Sequence, residues 1–417
     1  MRQDLLDRFG HGVERGKATM ARLDVRSGRV VVDVTHTVSH DLHTGVQRVV
    51  RETATRWMES GHRIDLVHFD FSAGALKRLS SAEYRRMTEW REHLGRSGDK
   101  MTVRLPEEAT GDVVVPWRSQ VVLPELVAEP ERCSAYRVLA STSVLESLSL
   151  IGFDLIPVVA AETVTDGMSA NYARYLSLVK HADRVSAISR ASADGFRGFR
   201  EMVASEGLRG PEVAAHPLPA EVPSLQPGTV EEARRTLGIG SDPMILVVGS
   251  HEPRKNHVAV LEAAEQLWRS GARFELLFLG GSGWKGERFD ELVSALSAAG
   301  RLVSVRKRCS EDELWAAYSL ARFSVFPSIL EGFGLPVAES LAMGTPVIAS
   351  EYGSMAEIAD GGGCLLVDPR DVNSLAGAMS RLLEDDQLLD RLRREAAARP
   401  SSNWENYATD VWSFLVG

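Results

Sequence analysis

The residues best suited to chemistry lie in Pro327–Met343, PSILEGFGLPVAESLAM, where two carboxylates, Glu331 and Glu339, flank a glycine-rich turn. Gly332 and Gly334 loosen the chain there. Pro336 marks the first turn of a helix, whose leading N–H groups stay open to an anion such as phosphate. A carboxylate repels phosphate but accepts paired hydrogen bonds from a vicinal diol. A phosphate-ready helix end with two diol-binding acids matches the chemistry of a nucleotide sugar. A second set, VGSHEPRKNH at Val248–His257, places adjacent Arg254 and Lys255 just after an apolar run, where they would neutralise a departing diphosphate. Taken singly, each pattern also has a plain reading, because acids near helix starts act as caps and basic pairs in loops are mostly solvated.

Such groups must be carried to one place by strand ends and helix starts. At 417 residues the chain exceeds one ordinary core, and two domains of similar size are expected. From Arg29 onward short apolar runs alternate with helical stretches, the signature of βαβ units and parallel sheets. Strands are expected at Arg29–Val34, His62–Phe69, Gly111–Val115, Arg137–Ala140, Leu155–Ala160 and Arg184–Ile188, with a helix over Val46–Ser60 and helix plus loop over Ala73–Lys100. The proline-rich stretch in His216–Gly240 reads as the linker. Beyond it the alternation predicts strands at Pro243–Gly249, Arg273–Gly280, Arg301–Arg306, Phe323–Pro327 and Thr345–Ser350. Helices are predicted at His257–Arg269, Gly286–Ala298, Glu311–Leu320 and Leu335–Met343. The tail reads as three helices, Val372–Leu383, Gln387–Ala397 and Asn403–Leu415, the last so aromatic that it should dock back on the first domain. The expected organisation is an N-terminal extension (1–28), a first domain (29–230), a second domain (231–400) and a terminal helix (401–417). Two doubly wound Rossmann-like α/β domains then face one crevice, where ligands of open α/β sheets bind.

Composition narrows the function. Hydrophobic residues make up 44% and charged residues 25%, as in soluble globular proteins. A net charge of −9 disfavours nucleic acid as a partner. Cys133, Cys309 and Cys364 are isolated, which excludes a disulfide framework and fits a cytoplasmic setting. Neither a signal peptide nor a spanning segment is expected. The basic Met1–Arg29 is a solvated extension or a peripheral contact with an anionic membrane surface.

Glu331 and Glu339 within EGFGLPVAES, the following AMGTPVIAS and Gly353, and the preceding EPRKN closely resemble the donor-binding half of the retaining GT-B glycosyltransferases of family GT4, over about Pro243 to Pro369. The resemblance implies that Arg254 and Lys255 contact the donor diphosphate, Glu331 holds the transferred sugar and Glu339 binds the ribose. It also implies that backbone N–H groups of Phe333, Gly334 and Leu335 meet the phosphates or sugar, with Ser250 and Arg308 in the donor-site loops. In the first domain DVTHTVSHDLHTGVQR (Asp33–Arg48) is similar to the family's first βα turn, giving Gly45 the role of letting the phosphates approach. Phe153 stands where many members carry the histidine of a His-Asp pair, leaving Asp154 as the catalytic candidate in that segment. The activity implied is sugar transfer from a nucleotide diphosphate-sugar, as substrate and without a cofactor or metal, to a glycan, lipid-linked or small-molecule acceptor. The TGVQRV segment favours surface-polysaccharide assembly. Two other readings remain: a non-catalytic nucleotide-sugar-binding partner subunit, and a GT-B sugar-nucleotide 2-epimerase.

Two patterns are set aside. Gly281–Gly286 spells GxGxxG, but the next strand ends in Arg306-Lys307-Arg308 with no acid for an NAD ribose. His36, His40 and His43 with Asp33 and Asp41 offer metal-ligand types, yet their loop position favours polar crevice lining.

Overall fold

The computed structural model describes residues 22–40, 44–90 and 112–417. The first sheet has nine strands: β1 (Leu23–Ser27), β2 (Val30–Asp33), β3 (Ile64–Asp70), β4 (Ala75–Arg78), β5 (Val113–Trp117), β6 (Gln120–Leu123), β7 (Ser147–Gly152), β8 (Arg184–Ala187) and β9 (Glu212–Ala215). Their order is β1-β5-β4-β3-β2-β6-β7-β8-β9, parallel except where β4 runs against β3 and β5. The second sheet has six parallel strands, β10 (Met244–Val248), β11 (Glu275–Leu279), β12 (Val303–Arg306), β13 (Phe323–Phe326), β14 (Val347–Ser350) and β15 (Cys364–Val367). They stand in the order β12-β11-β10-β13-β14-β15. The strand order reverses between β2 and β6 in the first sheet and between β10 and β13 in the second, and ligands of open α/β sheets bind at the carboxyl ends of such reversals.

In the second domain the expected elements return with ends shifted by a residue or two, because runs such as Met244–Val248 (MILVV) are apolar on both faces and bury under helices. The expectation stopped at five strands. Gly353–Ala359 and β15 add a further helix and strand, with Val347–Ser350 registered on Cys364–Val367.

The first domain departs more. Leu23–Ser27, expected to belong to an extension, forms an edge strand on Val113–Trp117. Arg137–Ala140, expected as a strand, is the last part of the helix Pro130–Ser141, which Pro130 opens in its first turn. Leu155–Ala160 is likewise not a strand: SLSLIG at β7 takes the sheet position, and Pro157 lies in the first turn of a short helix, Ile156–Val159. Short apolar runs do not separate strand from helix by period alone.

The terminal helix Trp404–Leu415 packs on the first domain's helix Gly45–Glu59. The indole of Trp57 donates to the Ala408 carbonyl at 2.8 Å, Trp412 stacks on His62 at 3.9 Å, and Ser149 and Gln120 donate to the carbonyls of Leu415 and Val416. No helix among the described residues is long and apolar enough to cross a membrane.

Candidate functional site

Between the sheets lies a cleft of about 710 Å³ lined by both domains. Of the residues singled out from the sequence, Gly45, Asp154, Ser250, Arg254, Lys255, Glu331, Phe333, Gly334, Leu335 and Glu339 line it. Arg308 does not; it is exposed, and Cys309 and Ser310 take the places beside the cleft.

Local backbone explains the convergence. After β10, Gly249 has φ 144°, and Gly280 at the end of β11 leaves no room for a side chain, since a Cβ there would overlap the Gly249 carbonyl. The loop then closes in a turn at Pro253–Lys255 and ends at Asn256, φ 58°, whose amide donates to the carbonyls of Pro327 and Pro369. Gly334, φ 109°, precedes the helix Leu335–Ala342 and has no side-chain cap, so the helix's first N–H groups face the cleft. Two helix starts meet here, because a Cβ on Gly45 would come within 3.3 Å of Leu335 Cδ1. The positive ends of two helix dipoles therefore adjoin at the cleft, a setting that favours an anion.

The charged groups form two linked sets. Glu331 accepts from Lys255 Nζ at 2.5 Å, Arg254 Nη1 at 2.6 Å and Ser328 Oγ at 2.7 Å. Arg254 also donates to Glu252 at 3.1 Å and to the Leu330 carbonyl. Burial pushes the Glu331 carboxyl up, but Lys255 and Arg254 together pull it below the ordinary carboxylate value. Glu339 accepts from Arg48 Nη1 at 2.7 Å and from the Tyr318 hydroxyl at 3.0 Å, and burial raises its pKa above the usual value. Asp154 is half-buried, and its pKa is also raised, chiefly by desolvation. Its Oδ1 accepts the Ile156 N–H at 3.0 Å, while its Oδ2 faces Gly332 so closely that a Cβ there would sit 2.9 Å away. The turn after Glu331 is held from the first domain too, as Ser189 and Ser192 donate to the Gly332 carbonyl at 2.6 and 2.9 Å.

The set-aside patterns have other employment. Trp284 of the GxGxxG loop donates its indole N–H to the Thr163 carbonyl, 3.0 Å away in the first domain. Asp33 is consumed by the Thr35 N–H at 2.9 Å, Arg132 Nε at 2.9 Å and the Tyr136 hydroxyl at 2.5 Å. His36 and His40 stack at 4.7 Å, while Asp41 and His43 lie outside the described residues. Among the described residues no group of three His, Cys, Asp or Glu side chains could hold a metal ion.

Sequence reasoning missed Arg48, Tyr318 and Ser189. Arg48 carried a signal, being three residues after Gly45 and hence on the same side of a helix start. Tyr318 carried none.

Comparison with known proteins adds the following. Residues 229–399 match the profile of glycosyl transferases group 1. The serotype-specific mannosyltransferase WbdA of Escherichia coli is 26% identical over 349 residues, covering 79% of this chain and 38% of that protein. The D-inositol 3-phosphate glycosyltransferase of Acidothermus cellulolyticus is 33% identical over 239 residues, covering 55% of this chain and 53% of that one. The chain spans about two fifths of the length of the Escherichia coli relatives first matched. Among solved structures, sucrose-phosphate synthase from Thermosynechococcus elongatus superposes with a TM-score of 0.65 at 19% identity, covering 93% of this chain and 98% of that one. Anabaena Alr3699/HepE in complex with UDP-glucose gives 0.64 at 14% identity, covering 93% and 99%.

Proposed function

We propose that this chain, whose residues 229–399 belong to glycosyl transferases group 1 and whose two domains share the GT-B fold, transfers a sugar from a nucleotide diphosphate-sugar to an acceptor. The observation that carries this reading is the Lys255–Glu331–Arg254 cluster, set in a two-domain cleft beside two helix starts.

In this reading residues 231–400 bind the donor and 29–230 the acceptor. The bond between the sugar C1 and the diphosphate oxygen breaks, its electron pair staying on that oxygen while the ring becomes oxocarbenium-like. Arg254 and Lys255 turn from Glu331 to the growing negative charge, joined by the N–H groups of Phe333, Gly334 and Leu335. Glu331, released from them, accepts hydroxyls of the sugar, and Glu339 those of the ribose. The acceptor oxygen bonds C1 on the face the diphosphate leaves, so configuration is retained, and its proton passes to the leaving phosphate oxygen. Asp154, which abuts the turn after Glu331 from the first domain, faces the transferred sugar. Protein cations meet the leaving charge, so the reaction is metal-independent. The similarity to a serotype-specific mannosyltransferase supports a hexose donor; the acceptor in this reading is a glycan or lipid-linked glycan, met in the cytoplasm or at the inner face of a membrane.

A thermal-shift panel of UDP, GDP, dTDP, ADP and CMP, followed by transfer assays with the matching sugar nucleotides, tests this. A ligand at about 100 Kd adds about 2.7 kcal/mol. Lys255→Ala and Glu331→Ala are each expected to lower turnover at least about 100-fold while staying folded. Near-wild-type turnover in both would refute the site assignment.

A further inference from the structure

The helix that begins at Gly45 belongs to the first domain, yet its fourth residue serves a carboxylate of the second. Gly45 abuts Leu335, the first residue of the helix that carries Glu339. One turn further along each helix, Arg48 meets Glu339. Both side chains line the cleft.

The geometry leaves Glu339 half-used. Arg48 donates to Oε1 and Tyr318 to Oε2, and since a carboxylate oxygen has two lone pairs, each keeps one for a hydroxyl. Two oxygens, each with one acceptor site left, suit a pair of neighbouring hydroxyls. Arg48 is itself fixed: its guanidinium stands 5.7 Å from the centre of the Trp404 ring, and its Nε is buried without a partner. A pair meant only to fasten the domains would be served as well by apolar side chains, because burying two charges costs desolvation that their attraction barely offsets.

We propose that Arg48 is a positioning residue for the donor, holding Glu339 from the opposite domain in the orientation that accepts the ribose hydroxyls. The ribose subsite is then complete only when the domains are closed. This inference rests on the donor reading above. The groups around Glu339 give it a pH signature. Burial raises its pKa, Arg48 opposes that, Tyr318 donates to the charged form, and Glu311 on the Tyr318 helix raises it further, while Glu52, one turn after Arg48, steadies the guanidinium. Without Arg48 the carboxyl takes up a proton at higher pH and donates where it should accept.

The test is calorimetric titration of wild type, Arg48→Gln and Arg48→Lys with UDP, GDP and ADP and with their 2′-deoxy counterparts, from about pH 6 to 8. For the diphosphate that binds, wild type is expected to prefer the ribose form about tenfold or more. In Arg48→Gln the preference falls below about threefold and weakens further as pH drops, while binding of the 2′-deoxy form holds and shows the variant to be folded. Arg48→Lys restores part of the preference. Equal weakening of both forms in Arg48→Gln would reduce Arg48 to a fastening between domains and overturn the proposal. A wild type that binds a diphosphate without regard to its 2′-hydroxyl would overturn it while leaving the transferase reading intact. A wild type that binds none of these, nor dTDP or CMP in the thermal-shift panel, refutes the transferase reading itself, and the proposal with it.

Discussion

Two clusters in this molecule use the same ingredients to different ends. In the first domain Arg132 lies between Asp33 and Glu125, all three essentially unexposed, with Tyr136, Thr35, the His36 N–H and Thr37 as further donors. At the cleft Glu331 lies between Arg254 and Lys255, whose side chains keep 14% and 12% exposure. The sealed cluster can only hold its present partners, and it fixes the loop after β2. The open one borders a space that admits water or substrate, so its ion pairs can be exchanged. A cavity wall, not the choice of residues, separates a charge cluster locked to its partners from one free to exchange them.

The sealed cluster gives the largest effect. Arg132→Met leaves two buried carboxylates uncompensated and is expected to destabilise the fold by about 3–5 kcal/mol, read in denaturant unfolding. Lys255→Ala breaks the comparison if it does the same. Water entering the cleft should solvate Glu331, leaving the melting temperature nearly unchanged while turnover falls about 100-fold. Gly332→Ala probes the border between the two domains. A Cβ there would stand 2.9 Å from both Asp154 Oδ2 and the Phe153 carbonyl. Turnover should fall about tenfold with about 1–3 kcal/mol of strain, measured by transfer assay and unfolding.

Behind the open cluster a buried group sharpens the contrast. His257, first in its helix and packed on His251, Phe278 and Phe289, has neither ring nitrogen partnered. Burial, then His251 and Lys255, push its pKa down to about 3. With the folded value depressed below the unfolded 6.5, the unfolded state takes the proton first, so stability is intact above about pH 6.5 and lost as pH falls toward 3. Between pH 6.5 and 5 this amounts to about 2 kcal/mol. His257→Phe should flatten that part of the stability–pH curve, and an unchanged slope would assign the acid sensitivity elsewhere. The smallest expected effect is that of a chelator, which should leave turnover within about twofold if Arg254 and Lys255 carry the leaving charge.

How much of this was legible in the sequence differs between the same two regions. In the second domain, strands such as Met244–Val248 and Glu275–Leu279 are mainly apolar runs closed by a glycine and followed by a periodic helix, so element type followed from pattern. The first domain's misread segments, RVLA and LIPVVA, are short enough that only Pro130 and Pro157 decide between strand and helix. In the site, Glu331, Arg254 and Lys255 were each visible as residues. Their mutual pairing was not, since it joins Glu331 to cations more than 70 positions earlier through a strand order that period alone does not give. The Arg48–Glu339 pair spans 291 positions and two domains, and only packing creates it.

The docking of Trp404–Leu415 has a consequence for how the chain is made. The first domain's elements are synthesised first, yet Trp57, nearly unexposed, finds its hydrogen-bond acceptor 351 residues later. Until that helix emerges, the flank formed by Trp57 and His62 remains uncovered, a long-lived sticky surface on a nascent chain. Maturation of the first domain therefore waits on the second, and the two halves finish folding as one event despite having separate sheets.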